Sequence, residues 1–124
     1  MILRSIIFVG LGGGIGSMLR YLTNVLVTKH FHLSFPLATF IVNMLGCLII
    51  GILFGLFERH VLSNTDLRHL FITGFCGGFT TFSTFALENV NLFQMGNSWL
   101  AFMYIAGSVV VSLLFVWLGM RIVG

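Results

Sequence analysis

The run Gly74-Phe75-Cys76-Gly77-Gly78-Phe79-Thr80-Thr81-Phe82-Ser83-Thr84-Phe85 decides how this chain folds. It sits inside a stretch apolar enough to cross a membrane, yet it carries paired glycines and hydroxyls at Thr80, Thr81, Ser83 and Thr84. Each glycine lowers helix propensity by about 1 kcal/mol relative to alanine. The hydroxyls offer the freed backbone other partners. A continuous helix from Leu67 to Phe93, with Thr80 at its midpoint, would measure about 40 Å at 1.5 Å per residue, against a hydrocarbon core of about 30 Å. The run therefore predicts two half-helices joined by an irregular turn near the bilayer midplane. Irregular backbone at that depth is tolerated only where it is buried in protein or lines a polar cavity. Such breaks aim carbonyls and N–H groups at bound ions. The carbonyl oxygens of Gly77 and Thr80 suit a hard cation such as Na⁺.

Working outward, the composition supplies the solvent. Of 124 residues, 58% are hydrophobic and 7% charged. That is too few charges to cover a soluble domain. Four apolar stretches, Ser5–Val27, Leu37–Phe57, Leu67–Phe93 and Trp99–Val123, are each long enough to span a bilayer, which takes about 20 residues. The expected fold is an all-α integral membrane protein with four transmembrane helices, one domain over residues 1–124 with short connections. Arg4 ahead of an apolar run imitates a signal peptide, but the run continues toward Val27 with no clean cleavage site, so it reads as a span. The net charge of +3 comes without a basic cluster, so nucleic acid is not an expected partner. Four spans put both termini on one side with Arg4, Arg59, Arg68 and Arg121, against Lys29 and Arg20 on the other. This is a slight preference for cytoplasmic termini.

Several in-span residues have both a packing and a functional reading. Gly10/Gly14 and Gly12/Gly16 are small-xxx-small pairs that permit close helix approach. Arg20 either snorkels to the interface or forms a positive vestibule that attracts anions. Asn43 either hydrogen-bonds a neighbouring helix or lines a pore. Phe75, Phe79, Phe82 and Phe85 recur at helical spacing. Phe82 and Phe85 stand apart because hydroxyl residues flank both. Glu88, one turn on, either reaches the interface or lines the mouth of a pathway. Tyr104, Ser108 and Ser112 are four apart and stack as a hydroxyl stripe on one helix face. Cys47 and Cys76 read as small buried residues. His30, His32, His60 and His69 read as interfacial. No nucleophile–base pair points to an enzyme.

With these residues in place the chain resembles the Fluc (CrcB) fluoride-channel family. The match rests on the Gly74–Phe85 run with Glu88 after it, on Pro36 through Thr39 with Asn43 and Gly46, and on the glycine-rich first span ending in Arg20-Tyr21. It covers essentially the whole chain. Ala86 and Ala38 depart from the serine and glycine frequent in relatives.

The resemblance implies an antiparallel, dual-topology homodimer in the bacterial plasma (inner) membrane. It implies passive export of cytoplasmic fluoride through two pores at the subunit interface. It also implies a central structural Na⁺ held by backbone carbonyls of Gly77 and Thr80. Fluoride would meet Phe82 and Phe85, Asn43, Ser83 and Thr84, and a hydroxyl track of Ser108 and Ser112 with Tyr104 adjoining. Arg20 and Glu88 would form the vestibule. This chemistry suits a small, tightly hydrated anion, because hydroxyls and the Asn43 amide donate hydrogen bonds and aromatic rings present a positive edge. No cationic side chain lies deep enough to trap the ion, and conduction needs binding that is escapable. The competing readings are a small multidrug-type, proton-coupled exporter, for which Glu88 is the only candidate carboxylate, and a membrane subunit that transports nothing.

Overall fold

A computed structural model describes residues 1–33, 35–60 and 63–124. The described chain is all-helical, with four passages long and apolar enough to cross a membrane. The first is α1 (Ile2–His30) and the second α2 (Leu37–Glu58). The third runs Thr65–Gln94 and is assembled from α3 (Thr65–Arg68), a π-helical stretch (His69–Cys76), α4 (Gly77–Phe79) and α5 (Ser83–Gln94). The fourth is α6 (Ser98–Val123).

The ends of these helices follow local chemistry. Lys29 and His30 occupy the last turn of α1, where positive charge complements the helix dipole. Asn64 caps α3, its Oδ1 accepting the N–H groups of Asp66 at 2.8 Å and Leu67 at 3.3 Å. Asp66 also takes an ion pair from Arg4 at 2.7 Å, joining the starts of α1 and α3. At the far end of α5, Gly96 has φ +83°. Its N–H reaches the carbonyl of Phe93 at 3.1 Å and that of Asn97 reaches Leu92 at 2.8 Å. This is a Schellman closure, which needs a residue in the left-handed region and favours glycine there.

The passages pack in two tight pairs that skip sequence neighbours: α1 lies on the first half of the third passage, and α2 on α6. Glycines make both crossings possible. A Cβ on Gly12 would run into the Leu70 carbonyl, one on Gly16 into the Phe75 carbonyl, and one on Gly78 into the backbone of Gly13. Of the two small-residue pairs in α1, only Gly12/Gly16 is used among the described residues; Gly10 and Gly14 meet none of them within 4 Å. In the other crossing, Gly51 admits the carbonyl of Val116 and Gly119 that of Leu48. Without hydrophobic force between helices in lipid, such backbone proximity is the main source of association.

Helical hydrogen bonding lapses after Phe79 and resumes at Ser83. Thr80 is extended, with φ −87° and ψ +159°. The lapse changes the partner of the passage: the π-helical stretch and α4 lie on α1, whereas α5 lies on α6. A small core of Leu92, Ala101 and Tyr104, with Phe35, Phe40 and Phe85 against it, holds that second half.

Candidate functional site

The turn at Thr80–Phe82 is held from α2. Asn43 Oδ1 accepts the Thr81 N–H at 2.8 Å, and Asn43 Nδ2 donates to the Thr81 carbonyl at 3.1 Å. This is the interhelical bond that the sequence allowed, and it leaves one amide hydrogen of Asn43 uncommitted. Gly46, one turn on, makes room for the Thr80 methyl. Thr80 folds back on its own helix, its N–H at 3.1 Å and its Oγ1 at 2.8 Å from the Cys76 carbonyl. Thr81 Oγ1 then accepts the Thr84 N–H at 3.3 Å and starts α5 as a cap does. Ser83 stands beside it, 3.5 Å between hydroxyls.

The rearrangement strands oxygens. In an unbroken helix the carbonyl of residue i receives the N–H of residue i+4. Here the Thr81 N–H goes to Asn43 and the Thr84 N–H to the Thr81 hydroxyl. Among the described residues no hydrogen bond reaches the carbonyls of Gly77 or Thr80. Gly77 faces open space, with none of the described residues within 4 Å of where a Cβ would be. The Phe79 carbonyl loses its donor in the same way, but Phe79 is buried. The stranded carbonyls of Gly77 and Thr80 are neutral oxygen ligands of the kind that a hard cation takes. No group of three His, Cys, Asp or Glu side chains among the described residues offers an alternative metal site.

A groove of about 640 Å³ runs along this turn between α2, the third passage and α6. It brings together Asn43, Phe82, Phe85, Ser108 and Ser112, with Gly77 and Thr80 on its wall. The periodicity is helical on each side: Asn43, Gly46, Cys47 and Ile50 on α2, Ser108 and Ser112 on α6. Phe82 is 79% exposed and its ring lies 5.8 Å from that of Phe85. Phe85 in turn meets Tyr104 edge-on at 4.9 Å. Phe75 and Phe79 are stacked on each other at 5.6 Å, away from this lining, and Phe79 is buried. Ser108 is 6% exposed and its Oγ has no hydrogen-bond partner among the described residues. Ser112 Oγ donates weakly to Met44 Sδ at 4.0 Å.

Other candidates lie outside the groove. Ser83 and Thr84 belong to the first turn of α5. The buried Tyr104 hydroxyl donates to Glu88 Oε1 at 2.9 Å, and the Thr39 hydroxyl donates to Glu88 Oε2 at 2.8 Å. Glu88 thus ties α5 to both α2 and α6. It also lines a smaller, polar recess of about 320 Å³ with Asn24, Thr28 and His32. Arg20 turns into the protein, its Nε donating to the Gly78 carbonyl at 3.0 Å. Sequence reasoning missed Thr39 as the partner of Glu88, Cys47 and Cys76 as groove wall, and the buried Asn89, whose Nδ2 donates to the Phe85 carbonyl at 2.9 Å. A buried amide in an apolar helix was the available signal for Asn89.

Residues 7–120 match the family described as CrcB-like protein, Camphor Resistance (CrcB). The chain is 44% identical over 120 residues to a protein of Flavobacterium psychrophilum named fluoride-specific ion channel FluC, covering 97% of each. A protein of the same name from Azobacteroides pseudotrichonymphae is 46% identical over 117 residues, covering 94% of each. One from Campylobacter fetus is 44% identical over 124 residues, covering 99% of this chain and 96% of the relative.

Proposed function

The chain belongs to the CrcB-like protein family, and from that membership we propose that it is a fluoride-selective ion channel of the bacterial inner membrane. It is not an enzyme. It exports cytoplasmic fluoride passively, down its gradient, through pores at the interface of an antiparallel homodimer. The observation that carries this reading is the groove in which ring edges, a buried free hydroxyl and stranded carbonyls face one space. Relatives that are 44–46% identical and named fluoride-specific channels support it.

The chemistry follows from the lining. Fluoride that sheds water needs compact donors. Ser108 Oγ–H has no competing acceptor among the described residues, and Asn43 keeps one N–H in reserve. The positive edges of Phe82 and Phe85 add C–H contacts that are weak singly but held in place, Phe85 by Tyr104. Tyr104 acts through that packing, because its own proton is spent on Glu88. The Thr81 hydroxyl is likewise occupied as a cap, so Ser83 and Thr84 serve mainly to start α5.

A second copy completes the pore. Phe82 and Gly77 lie on an open face of the third passage. Unsatisfied backbone exposed to lipid costs several kcal/mol per group, so this face requires a protein cover. Pairing of two such faces brings the breaks of both subunits together. Gly77 and Thr80 of each would hold Na⁺ there, and the ion supplies positive charge and a tie between subunits. The proton-coupled exporter is the weaker reading, because both oxygens of Glu88 already accept hydrogen bonds from Thr39 and Tyr104.

The deciding experiment reconstitutes the purified chain in liposomes and follows fluoride and chloride efflux, with sodium or with N-methylglucamine. Fluoride efflux with chloride retained is expected, and it should not respond to a proton gradient. Proteoliposomes that hold both halides, or that move fluoride only when protons are driven, would refute the proposal.

A further inference from the structure

Gly12, Gly16 and Arg20 are spaced by four and share one face of α1. The glycines bring α1 onto the backbone of the third passage, and at the next turn Arg20 arrives beside the Gly78 carbonyl. That carbonyl has lost its helical donor, because Phe82 lies in the turn, outside α4. The half-buried Arg20 replaces the missing N–H from a position 58 residues away in sequence. The turn is therefore held at two points by two different helices: Arg20 of α1 before it, at Gly78, and Asn43 of α2 within it, at Thr81.

This arrangement sorts the oxygens of the turn. A guanidinium on the Gly78 carbonyl removes that oxygen from the set open to another cation. The carbonyls of Gly77, Phe79 and Thr80 are left without donors among the described residues; Phe79 is a buried residue outside the groove, whereas Gly77 and Thr80 line it. We propose that Arg20 is a positioning residue for the cation site: it occupies the Gly78 carbonyl, fixes the end of α4, and thereby presents Gly77 and Thr80 as the ligand pair. The inference rests on the proposed Na⁺ site and gives Arg20 a role distinct from attracting anions at a vestibule.

The two roles predict opposite signs. If Arg20 acts only through its charge, its removal takes a like charge away from a cation and sodium binds as well or better. If it positions the carbonyls, its removal lets the turn relax and sodium binds more weakly. The test uses purified full-length protein in detergent, with N-methylglucamine replacing sodium. Its readouts are the sodium concentration giving half of the sodium-dependent rise in thermal unfolding temperature, and amide hydrogen exchange across residues 79–82.

Arg20→Ala is expected to raise half-saturating sodium about tenfold or more and to speed exchange at Thr80 and Thr81. Arg20→Lys keeps the charge but lacks the planar Nε–H donor. It should shift sodium in the same direction, and it carries the test if Arg20→Ala does not fold. Half-saturation that is unchanged or lowered in both variants, with unaltered exchange, would overturn the proposal. If the unmodified protein shows no sodium response, the sodium reading fails by itself. Exchange then judges the Arg20 contact: acceleration keeps it as the anchor of the turn, and no change removes it.

Discussion

Asn43 and Thr81, from different helices, exchange two hydrogen bonds, amide to peptide, at 2.8 and 3.1 Å. The side chain thereby stands in for the helical partners that the Thr81 peptide has lost. An aspartate at position 43 would still accept the Thr81 N–H but would set a carboxylate against the Thr81 carbonyl. Asn43→Asp should lower stability by about 1–3 kcal/mol, the cost of an unmet buried polar group. Thermal unfolding in detergent checks this, and fluoride efflux should fall with it.

Ser108 separates stability from transport. Its hydroxyl is buried without a partner among the described residues, so Ser108→Ala removes an unsatisfied group and should leave the unfolding temperature unchanged or slightly raised. If the hydroxyl donates to fluoride in transit, the same variant slows efflux severalfold. Unchanged efflux would remove Ser108 from the pathway.

The two ring residues should respond differently to isoleucine. Phe82 is largely exposed within the chain, whereas Phe85 packs edge-on against Tyr104. Phe82→Ile should cost the chain little stability, and Phe85→Ile about 1 kcal/mol from the lost aromatic pair. Together they should abolish fluoride efflux from proteoliposomes while the oligomer survives size-exclusion chromatography.

Position along α1 decides the effect of alanine. Gly12→Ala and Gly16→Ala place a methyl against backbone and should destabilise by roughly 1–3 kcal/mol, as overpacking does. Gly10→Ala has no neighbour among the described residues within 4 Å to offend. The same unfolding assay should find it within about 0.5 kcal/mol of the parent, the usual range for unpacked surface positions.

Glu88→Gln tests proton coupling. A glutamine can accept from one hydroxyl and donate to the other, since Thr and Tyr oxygens also accept. Passive efflux should survive at a reduced rate, and it should remain insensitive to an imposed pH gradient. Coupled uptake in the parent that disappears in this variant would favour the exporter.

Much of the architecture was legible because bilayer thickness leaves few solutions for four apolar stretches. The hydroxyl-flanked Phe82 and Phe85, and the Tyr104–Ser108–Ser112 stripe, stood out because lipid-facing surfaces do not mix such groups. What could not be read were long-range choices. Spacing allowed Gly10/Gly14 and Gly12/Gly16 equally, and only the approach of Leu70 and Phe75 distinguishes them. Asn43 and Arg20 each had two readings, because their partners are backbone atoms of a turn some 38 and 58 residues distant. The widened turns from His69 to Cys76 have no marker in the local sequence; they occur where Gly74 touches the backbone of α1.

The exchange of neighbours at Thr80 has a bearing on biosynthesis. The part of the third passage before it can dock on α1, already made, whereas Phe85 needs Tyr104, which the ribosome supplies later. A nascent chain halted after Gln94 would hold its leading half in place and leave the trailing half unseated. The groove lined by Phe85, Ser108 and Ser112 thus comes into being only once α6 has been made.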